Sequence, residues 1–352
     1  MLETFPATFT FRCGKQVYRV TIKDIAKKSG YAISTVSRAL NNHPDVSEET
    51  KQRIAQVVAE TGFVPNSNAR QLKRQQAKCI AFIVKGIGNM FFADMLAELQ
   101  RLVAEAGFDG VIHYLNEHDN EVAAAQRLCA ELKPRGIVFL GGDTCNFSAG
   151  FKAITVPCVL TTTVSTELCF PNLSMVGVDD RAAGRTAIDH LVEKGHRSIV
   201  IIGSDPSFSS PSQMRLQGCK DSLAAHGLPF EPEMFLQSRF SMEDAYTTMQ
   251  HYLEQGGNAT AVFAMSDTMA IGAIRALLDA GRSVPGDVSV LGFDGTPLAR
   301  YYHPRLATLC QPARQIAQNS IRLLMGCIRK TCSSQTVLLE ASLEPGSSIR
   351  AL

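Results

Sequence analysis

The amino-acid sequence predicts a small all-α unit followed by a larger α/β body that contains two parallel sheets. Residues 21–61 carry three short amphipathic helical patterns separated by turn residues. From Cys79 onward, strand-length apolar runs alternate with helical patterns, which is typical of parallel sheets covered by helices on both faces. With 352 residues, 45% of them hydrophobic, the chain is long enough to bury more than one core.

The three helices of the first unit have clear start and stop signals. The first begins after the capping residue Thr21 and ends at Gly30, and the second covers about residues 33–41 after a three-residue turn. The third begins at Ser47 and ends near Thr61. Three short helices with this tight first turn fit a helix-turn-helix, whose second helix enters the DNA major groove. The spacing alone fits a generic three-helix bundle equally well.

Charge is distributed unevenly along the chain. Residues 20–78 hold ten Lys or Arg and five Asp or Glu, a net charge of +5, whereas the whole chain carries only +2. A basic first unit on a nearly neutral body indicates a polyanion partner for the first unit alone. A solvated basic face would give the same count.

The residues of the first unit resemble the headpiece of the lactose/galactose/purine repressor family, which are bacterial transcriptional regulators. The matching segments are Val20–Gly30, Ser34–Asn41, Val46–Lys51 and Gly62–Asn66. One departure is Ala32, which stands where the family usually has a capping Ser or Thr. Either Ser34 caps a helix that starts later, or the cap is lost at a cost of about 1 kcal/mol.

This resemblance implies which residues contact double-stranded DNA. Ile33, Ser34 and Arg38 are expected at base edges, because Arg pairs bidentately with guanine and Ile packs on the thymine methyl group. Phosphate contacts, which position the helix, are expected from the remaining polar residues of the headpiece. These are Thr21, Thr35, Ser37 and Asn41.

Residues 66–78 form a polar segment that is too short to be a stable isolated helix in water. A solvated linker is one interpretation. The resemblance implies a hinge helix that folds on DNA, with Leu72 as an apolar wedge between base steps of the minor groove. Ala69 would permit close backbone approach, and the polar residues Asn66, Arg70 and Lys73 would lie near the DNA backbone or groove.

The body resembles the two-lobed periplasmic sugar-binding fold that this family carries, over residues 79–344. The matching motifs are Val178–Gly184, Gly195–Ile199, Arg215–Gly218, Ser266–Gly272 and Val290–Asp294. The predicted domains are an N-terminal extension (1–19, disordered), a helix-turn-helix domain (20–65), a hinge (66–78) and an effector-binding domain (79–352). Within the last, lobe 1 is expected at about 79–190 and 311–340, and lobe 2 at about 191–310 and 341–352.

The resemblance also implies an effector site between the lobes. Carboxylates and a guanidinium at strand ends suit a polyhydroxyl ligand such as a sugar or sugar derivative, and an aromatic ring can stack on sugar carbons. The expected contacts are Phe91, Phe92, Asp179, Arg215, Ser266, Asp294 and Gln311. The alternative is that Asp179, Asp267 and Arg215 only form caps and ion pairs at loop starts, and for Asp180 and Asp267, which begin helices, this alternative is favoured. Position 266 is commonly Asn in the family and is Ser here.

Together these features predict a repressor that binds a palindromic operator as a homodimer through lobe 1, since no leucine-heptad tail follows the last strand. We expect a cytoplasmic, nucleoid-associated bacterial protein without a membrane segment, cofactor or metal. No nucleophile elbow or phosphate loop is present, which argues against an enzyme. A transport-type ligand-binding module without a DNA role is the alternative function.

Overall fold

A computed structural model of the protein describes residues 21–40, 45–61, 78–86 and 89–352. The chain divides into two compact units, residues 1–73 and 74–352. No helix in the described ranges is both long and apolar enough to cross a membrane.

In its described residues, the first unit has three helices that pack on one another around a small core. They are α1 (Ile22–Ser29), α2 (Ile33–Leu40) and α3 (Glu48–Thr61). Gly30 ends α1 in a left-handed conformation (φ 78°) and allows the tight turn into α2. The core residues come from all three helices: Ile25, Ala26, Val36, Ile54 and Val57. The predicted all-α helix-turn-helix headpiece is confirmed.

The second unit contains the following strands in its described residues: β1 (Cys79–Lys85), β2 (Asp109–Leu115), β3 (Gly136–Leu140), β4 (Cys158–Thr161), β5 (Leu173–Val178), β6 (Ile199–Gly203), β7 (Phe235–Gln237), β8 (Ala261–Ala264), β9 (Ser289–Asp294), β10 (Ala307–Cys310), β11 (Thr336–Leu339) and β12 (Ser342–Glu344). Its helices are α4 (Phe91–Glu105), α5 (Glu121–Glu131), α6 (Thr144–Gly150), α7 (Asp180–Glu193), α8 (Ser210–Ala225), α9 (Met242–Glu254), α10 (Asp267–Asp279), α11 (Pro297–Tyr301) and α12 (Ala313–Arg329).

These strands form two six-stranded sheets, one in each lobe. The lobe 1 sheet has the order β11-β5-β4-β3-β1-β2 and is parallel throughout. The lobe 2 sheet has the order β12-β10-β9-β8-β6-β7 and is parallel except for β12, which runs antiparallel to β10. The predicted two-lobed α/β fold of the periplasmic-binding-protein type is confirmed.

The chain passes between the lobes three times. It leaves lobe 1 after β5, returns after β10 through α12, which packs on α4 and on the lobe 1 strands, and crosses again between β11 and β12. Helix α7 packs mainly on α8 of lobe 2. The first segment of lobe 1 therefore ends at β5, before the boundary near residue 190 that the sequence suggested.

The last two strands of the chain lie in different lobes. They are separated by Glu340 and Ala341, which belong to neither strand. The strand before them, β11, pairs with β5 in lobe 1, and the strand after them, β12, pairs with β10 in lobe 2. Strand β11 has four residues and β12 has three, so one short stretch of chain supplies an edge strand to each sheet.

Candidate functional site

Helix α2 presents a polar face opposite its core residue. Val36 is fully buried, whereas Ile33, Ser34 and Arg38 are exposed, and 46% of Ile33 is accessible to solvent. An exposed Ile at the first turn of an otherwise polar face is available for an apolar contact with a partner. Thr35 and Ser37 are half-buried on the flanks of the same helix.

Two sequence expectations about helix caps in this unit are refined. Helix α2 begins at Ile33, so Ala32 occupies the N-cap position and Ser34 lies inside the helix. The structure therefore favours the lost cap. At α1, the backbone N–H and the hydroxyl of Thr21 both donate to the Asp24 carboxylate, at 2.8 and 2.7 Å, and these bonds lower the pKa of Asp24.

The remaining predicted DNA contacts lie outside the described residues. They are Asn41 and the five hinge residues Asn66, Ala69, Arg70, Leu72 and Lys73. The predicted extension at residues 1–19 also lies outside them.

A cavity of about 780 Å³ lies between the two lobes, at the carboxyl ends of both sheets. Five of the seven predicted effector contacts line it: Phe91, Phe92, Arg215, Asp294 and Gln311. The other two do not. The Asp179 side chain is exposed and caps α7 through Ala182 N (3.0 Å), and the Ser266 hydroxyl is buried and caps α10 through Met269 N (3.1 Å). Both side chains therefore act as helix caps in this structure.

Arg215 is held in place by a close helix crossing in lobe 2. A Cβ atom at Gly184 of α7 would lie 2.1 Å from the Arg215 carbonyl oxygen, and one at Gly218 of α8 would lie 2.0 Å from the Arg181 carbonyl oxygen. Only glycine at both positions allows these backbones to approach so closely. The crossing brings Arg215 Nε to 2.8 Å from Asp180 Oδ1.

The Arg215 guanidinium has two further contacts. Its Nη1 donates to the Met265 carbonyl oxygen at 2.8 Å, and its plane lies over the Phe293 ring, 3.6 Å from the ring centroid. Arg215 and Asp180 are 5% and 7% exposed, so this is a buried ion pair. Arg215 therefore lines the cleft with a side chain whose position is fixed by these contacts.

Asp294 ends β9 at the base of the cleft with a positive φ of 113°, a conformation that non-glycine residues rarely adopt. Gln311 Nε2 donates to Asp294 Oδ1 at 2.8 Å. Burial raises the pKa of Asp294 to about 8, although Arg215 opposes the shift. The Asp294 carboxyl is therefore mostly protonated at pH 7 and can donate a hydrogen bond.

A third buried carboxyl, Asp267, supports the base of the cleft from beneath. Its oxygens accept from Thr308 Oγ1 at 2.6 Å and from the N–H and hydroxyl of Thr296 at 2.6 and 2.9 Å. Burial raises the pKa of Asp267 to about 6, and these hydrogen bonds limit the rise. Asp267 therefore ties the segments around Thr296 and Thr308 together, and the cap of α10 is supplied by Ser266 instead.

Lobe 1 contributes cleft residues that the sequence did not single out. Lys85, at the end of β1, forms a buried ion pair with Glu121 at 2.7 Å. Thr163, in the loop after β4, is 1% exposed and its hydroxyl has no hydrogen-bond partner among the described residues. Gln311 Oε1 is likewise buried without a partner in the described part of the chain.

Three contacts join the lobes near the mouth of the cleft. Arg239 Nε of lobe 2 lies 3.3 Å from Glu117 Oε2 of lobe 1. The hydroxyls of Thr144 and Ser210 are 2.8 Å apart, and the His118 ring lies edge-on to Phe208, with centroids separated by 6.0 Å. None of these residues belongs to a motif that the sequence analysis recognised. Their contacts are therefore visible only in the folded structure.

No group of three or more potential metal ligands is clustered within the described ranges. The cleft therefore offers polar, hydrogen-bonding and aromatic contacts in the residues that the structure describes.

Comparison with known proteins gives two matches to family models. Residues 21–66 match the model of bacterial regulatory proteins of the lacI family, and residues 188–349 match a periplasmic binding protein-like domain. Among solved structures, the transcriptional regulator CelR–cellobiose complex has a TM-score of 0.68 and 26% identity, covering 94% of this chain and 100% of that one.

Two relatives are similar over nearly their whole length. The HTH-type transcriptional regulator MalR of Clostridium butyricum is 32% identical over 329 residues, covering 92% of this chain and 97% of MalR. The ribose operon repressor of Haemophilus influenzae is 30% identical over 334 residues, covering 94% of this chain and 99% of the repressor. The chain belongs to the lacI family of bacterial regulatory proteins.

Proposed function

We propose that the protein is a homodimeric transcriptional repressor that binds a palindromic operator, and that a sugar or sugar derivative in the cleft controls its operator affinity. The observation that carries the proposal is the presence, in one chain, of an exposed polar face on α2 and of a cleft whose buried polar atoms lack partners among the described residues. We further propose that it acts in the bacterial cytoplasm, associated with the nucleoid, and catalyses no reaction.

The names of relatives support a sugar as the effector. One relative is a ribose operon repressor, and the CelR structure is a complex with cellobiose. In this chain, Asp294, Gln311 and Thr163 place hydrogen-bonding groups in the cleft, and Phe91 and Phe92 line it as well. Such a combination suits a ligand with hydroxyls on its edges and apolar ring faces.

The proposed control couples cleft closure to the hinge. A ligand that contacts both lobes favours the arrangement in which Glu117 meets Arg239 and Thr144 meets Ser210. We propose that this arrangement changes the spacing of the two hinge segments (residues 66–78) of a dimer. Because each segment becomes helical only on bent DNA, a change in their spacing alters operator affinity.

On the DNA side, we propose that Arg38 reads guanine in the major groove and that Ile33 and Ser34 contact neighbouring bases. Thr21, Thr35, Ser37 and Asn41 would hold the phosphates, and the hinge residues Asn66, Ala69, Arg70 and Lys73 would accompany the Leu72 wedge in the minor groove.

The test is fluorescence anisotropy with DNA from upstream of the protein's own gene, with and without a panel of sugars and nucleobases. We expect specific binding that at least one sugar changes more than tenfold. Leu72→Ala should lose at least tenfold in specific affinity, whereas the adjacent Gln71→Ala should change it less than threefold. Absence of specific binding, or control by a nucleobase alone, would contradict the proposal.

The assembly is tested separately by light scattering at micromolar concentration. We expect the mass of a dimer with and without the sugar, because a two-fold dimer matches a palindromic site. A monomer or a tetramer would contradict the dimeric arrangement.

A further inference from the structure

We infer that the effector is an uncharged sugar, and that the cleft discriminates against sugar acids and sugar phosphates. The inference rests on the proposed function, because it concerns the same cleft, and it names the chemical class of ligand. Its evidence is the state of the charged and polar side chains that line the cavity.

Every Lys and Arg that lines the cavity in the described residues is already paired. Lys85 Nζ lies 2.7 Å from Glu121, Arg215 Nε lies 2.8 Å from Asp180, and Arg239 Nε lies 3.3 Å from Glu117. The first two pairs are at most 10% exposed. Because each of these cations already has a carboxylate partner, the net charge that an anionic ligand meets at each pair is close to zero.

Breaking either buried pair is costly. Removing Arg215 would leave Asp180 as an uncompensated buried carboxylate, and removing Lys85 would leave Glu121 buried with N–H donors but without its cation. Arg215 also donates to the Met265 carbonyl and stacks on Phe293, so its position is fixed from three sides. The guanidinium therefore cannot turn toward a ligand carboxylate or phosphate without losing several contacts.

The cleft also contains acids that no Lys or Arg neutralises. Asp205, Glu243 and Asp244 line the cavity and form no salt bridge with a basic residue in the described part of the chain. Asp205 accepts bonds from Ser207 and Gln237, which keep its pKa low. An approaching anion would therefore be repelled by the negative electrostatic potential of these carboxylates.

The polar atoms without partners require hydrogen-bond donors as well as acceptors from the ligand. Gln311 Oε1 is an acceptor only, Thr163 Oγ1 can donate or accept, and the protonated Asp294 carboxyl can donate. A sugar hydroxyl serves all three, since it donates and accepts. A sugar acid that placed its ionised carboxylate at this point of the cleft, in place of a hydroxyl, could only accept, and Gln311 Oε1 would stay unsatisfied.

The test is isothermal titration calorimetry of the full chain at pH 7 with matched pairs: glucose with glucuronate and glucose 6-phosphate, galactose with galacturonate, and ribose with ribose 5-phosphate, together with maltose and cellobiose. We expect a neutral sugar to bind, and its charged counterpart to bind at least about tenfold more weakly. Equal or tighter binding of a charged counterpart would overturn the inference while leaving the proposed function intact. If no sugar bound, the proposed function would fail, and this inference with it.

One variant tests whether the pairing of the basic side chains causes the discrimination against charged sugars. Glu117→Gln frees Arg239 at the mouth of the cleft while keeping the size of the side chain. Loss of a lobe contact weakens all ligands, so the readout is the ratio of charged to neutral affinity, which we expect to rise about threefold to tenfold. Glu193→Gln, on an exposed position of α7 outside the cleft, should leave the ratio unchanged. An unchanged ratio in Glu117→Gln would overturn the assignment.

Discussion

Each lobe buries one ion pair beneath the cleft, but the two pairs have different surroundings. In lobe 1, Glu121 is fully buried and accepts from Lys85, from Asp143 N at 2.6 Å and from Asn146 Nδ2 at 3.0 Å. In lobe 2, Asp180 accepts from Arg215, and Arg215 has its own contacts with Met265 and Phe293. In lobe 1 the additional contacts are made by the acid, Glu121, whereas in lobe 2 they are made by the base, Arg215.

The two lobes also differ in the number of acids that they bury. Lobe 1 buries Glu121 with Lys85, whereas lobe 2 buries Asp180 and Asp294 beside Arg215, and Asp267 beside Asp294. Burial raises the pKa of all three lobe 2 carboxyls, to about 6 for Asp267 and about 8 for Asp294. Stability and ligand binding in lobe 2 therefore depend on Arg215 and on the protonation of the buried carboxyls. In lobe 1, Glu121 is stabilised by two neutral N–H donors in addition to Lys85.

The largest effect is expected from removing the cation of each pair. Arg215→Met should lower the free energy of unfolding by about 3–5 kcal/mol, since Asp180 is left buried without its partner. Lys85→Met should cost less, because Glu121 keeps two N–H donors. Urea unfolding of both variants measures the difference. If Lys85→Met cost as much as Arg215→Met, the contrast between the lobes would be wrong.

The next effect tests the helix crossing that holds Arg215 against Asp180. Gly184→Ala places a Cβ 2.1 Å from the Arg215 carbonyl oxygen, so α7 and α8 must separate. We expect a loss of about 1–3 kcal/mol in urea unfolding, together with weaker effector binding. Thr186→Ala, at an exposed position of the same helix, should change stability by less than about 0.5 kcal/mol. Unaltered stability in Gly184→Ala would contradict the close crossing.

Protonation of Asp294 gives a pH-dependent test of lobe 2. The folded carboxyl keeps its proton up to about pH 8, whereas the unfolded one loses it near 3.8, so stability from this group is lost as pH rises through that window. Asp294→Asn should therefore gain stability relative to the parent between pH 5 and 8, by at most about 1.4 kcal/mol per pH unit. Asp205→Asn is the control, because the pKa of Asp205 is lowered and its carboxyl does not titrate in that range. Parallel pH profiles for the parent and Asp294→Asn would contradict the raised pKa.

Much of the architecture was predictable because periodicity and local chemistry encode it. The strands Gly136–Leu140 and Ala261–Ala264 can be identified from the sequence, since both are wholly apolar runs that begin directly after a polar residue. Strands β4 and β5 and helix α9 were not predicted. Cys158–Thr161 directly follows Pro157 and continues into two further threonines, which blurs its limits. Helix α9 mixes polar and aromatic residues, with only Ala245 and Met249 buried.

The site was predictable only where a motif carried it. Arg215 and Asp294 lie in recognisable segments and line the cleft, whereas Asp179 and Ser266 lie in equally recognisable segments and cap helices. The difference depends on which way each side chain turns at a strand end, which sequence spacing does not encode. Lys85 and Thr163 were missed because a single Lys or Thr after an apolar strand is common, and only the meeting of two lobes gives them a role.

The smallest effect concerns the hydroxyl pair that joins the two lobes. Thr144 Oγ1 of lobe 1 and Ser210 Oγ of lobe 2 are 2.8 Å apart in a partly buried setting, so one hydrogen bond of about 1 kcal/mol joins the lobes here. Thr144→Val keeps the shape of the side chain and removes the bond. Because the bond forms only when the lobes are close, its loss should raise the effector dissociation constant about threefold to tenfold without changing the unfolding of either lobe. Thr247→Val, whose hydroxyl bonds within α9, should leave calorimetric affinity unchanged. Full affinity in Thr144→Val would mean that ligand contacts alone, and not the mouth of the cleft, hold the lobes together.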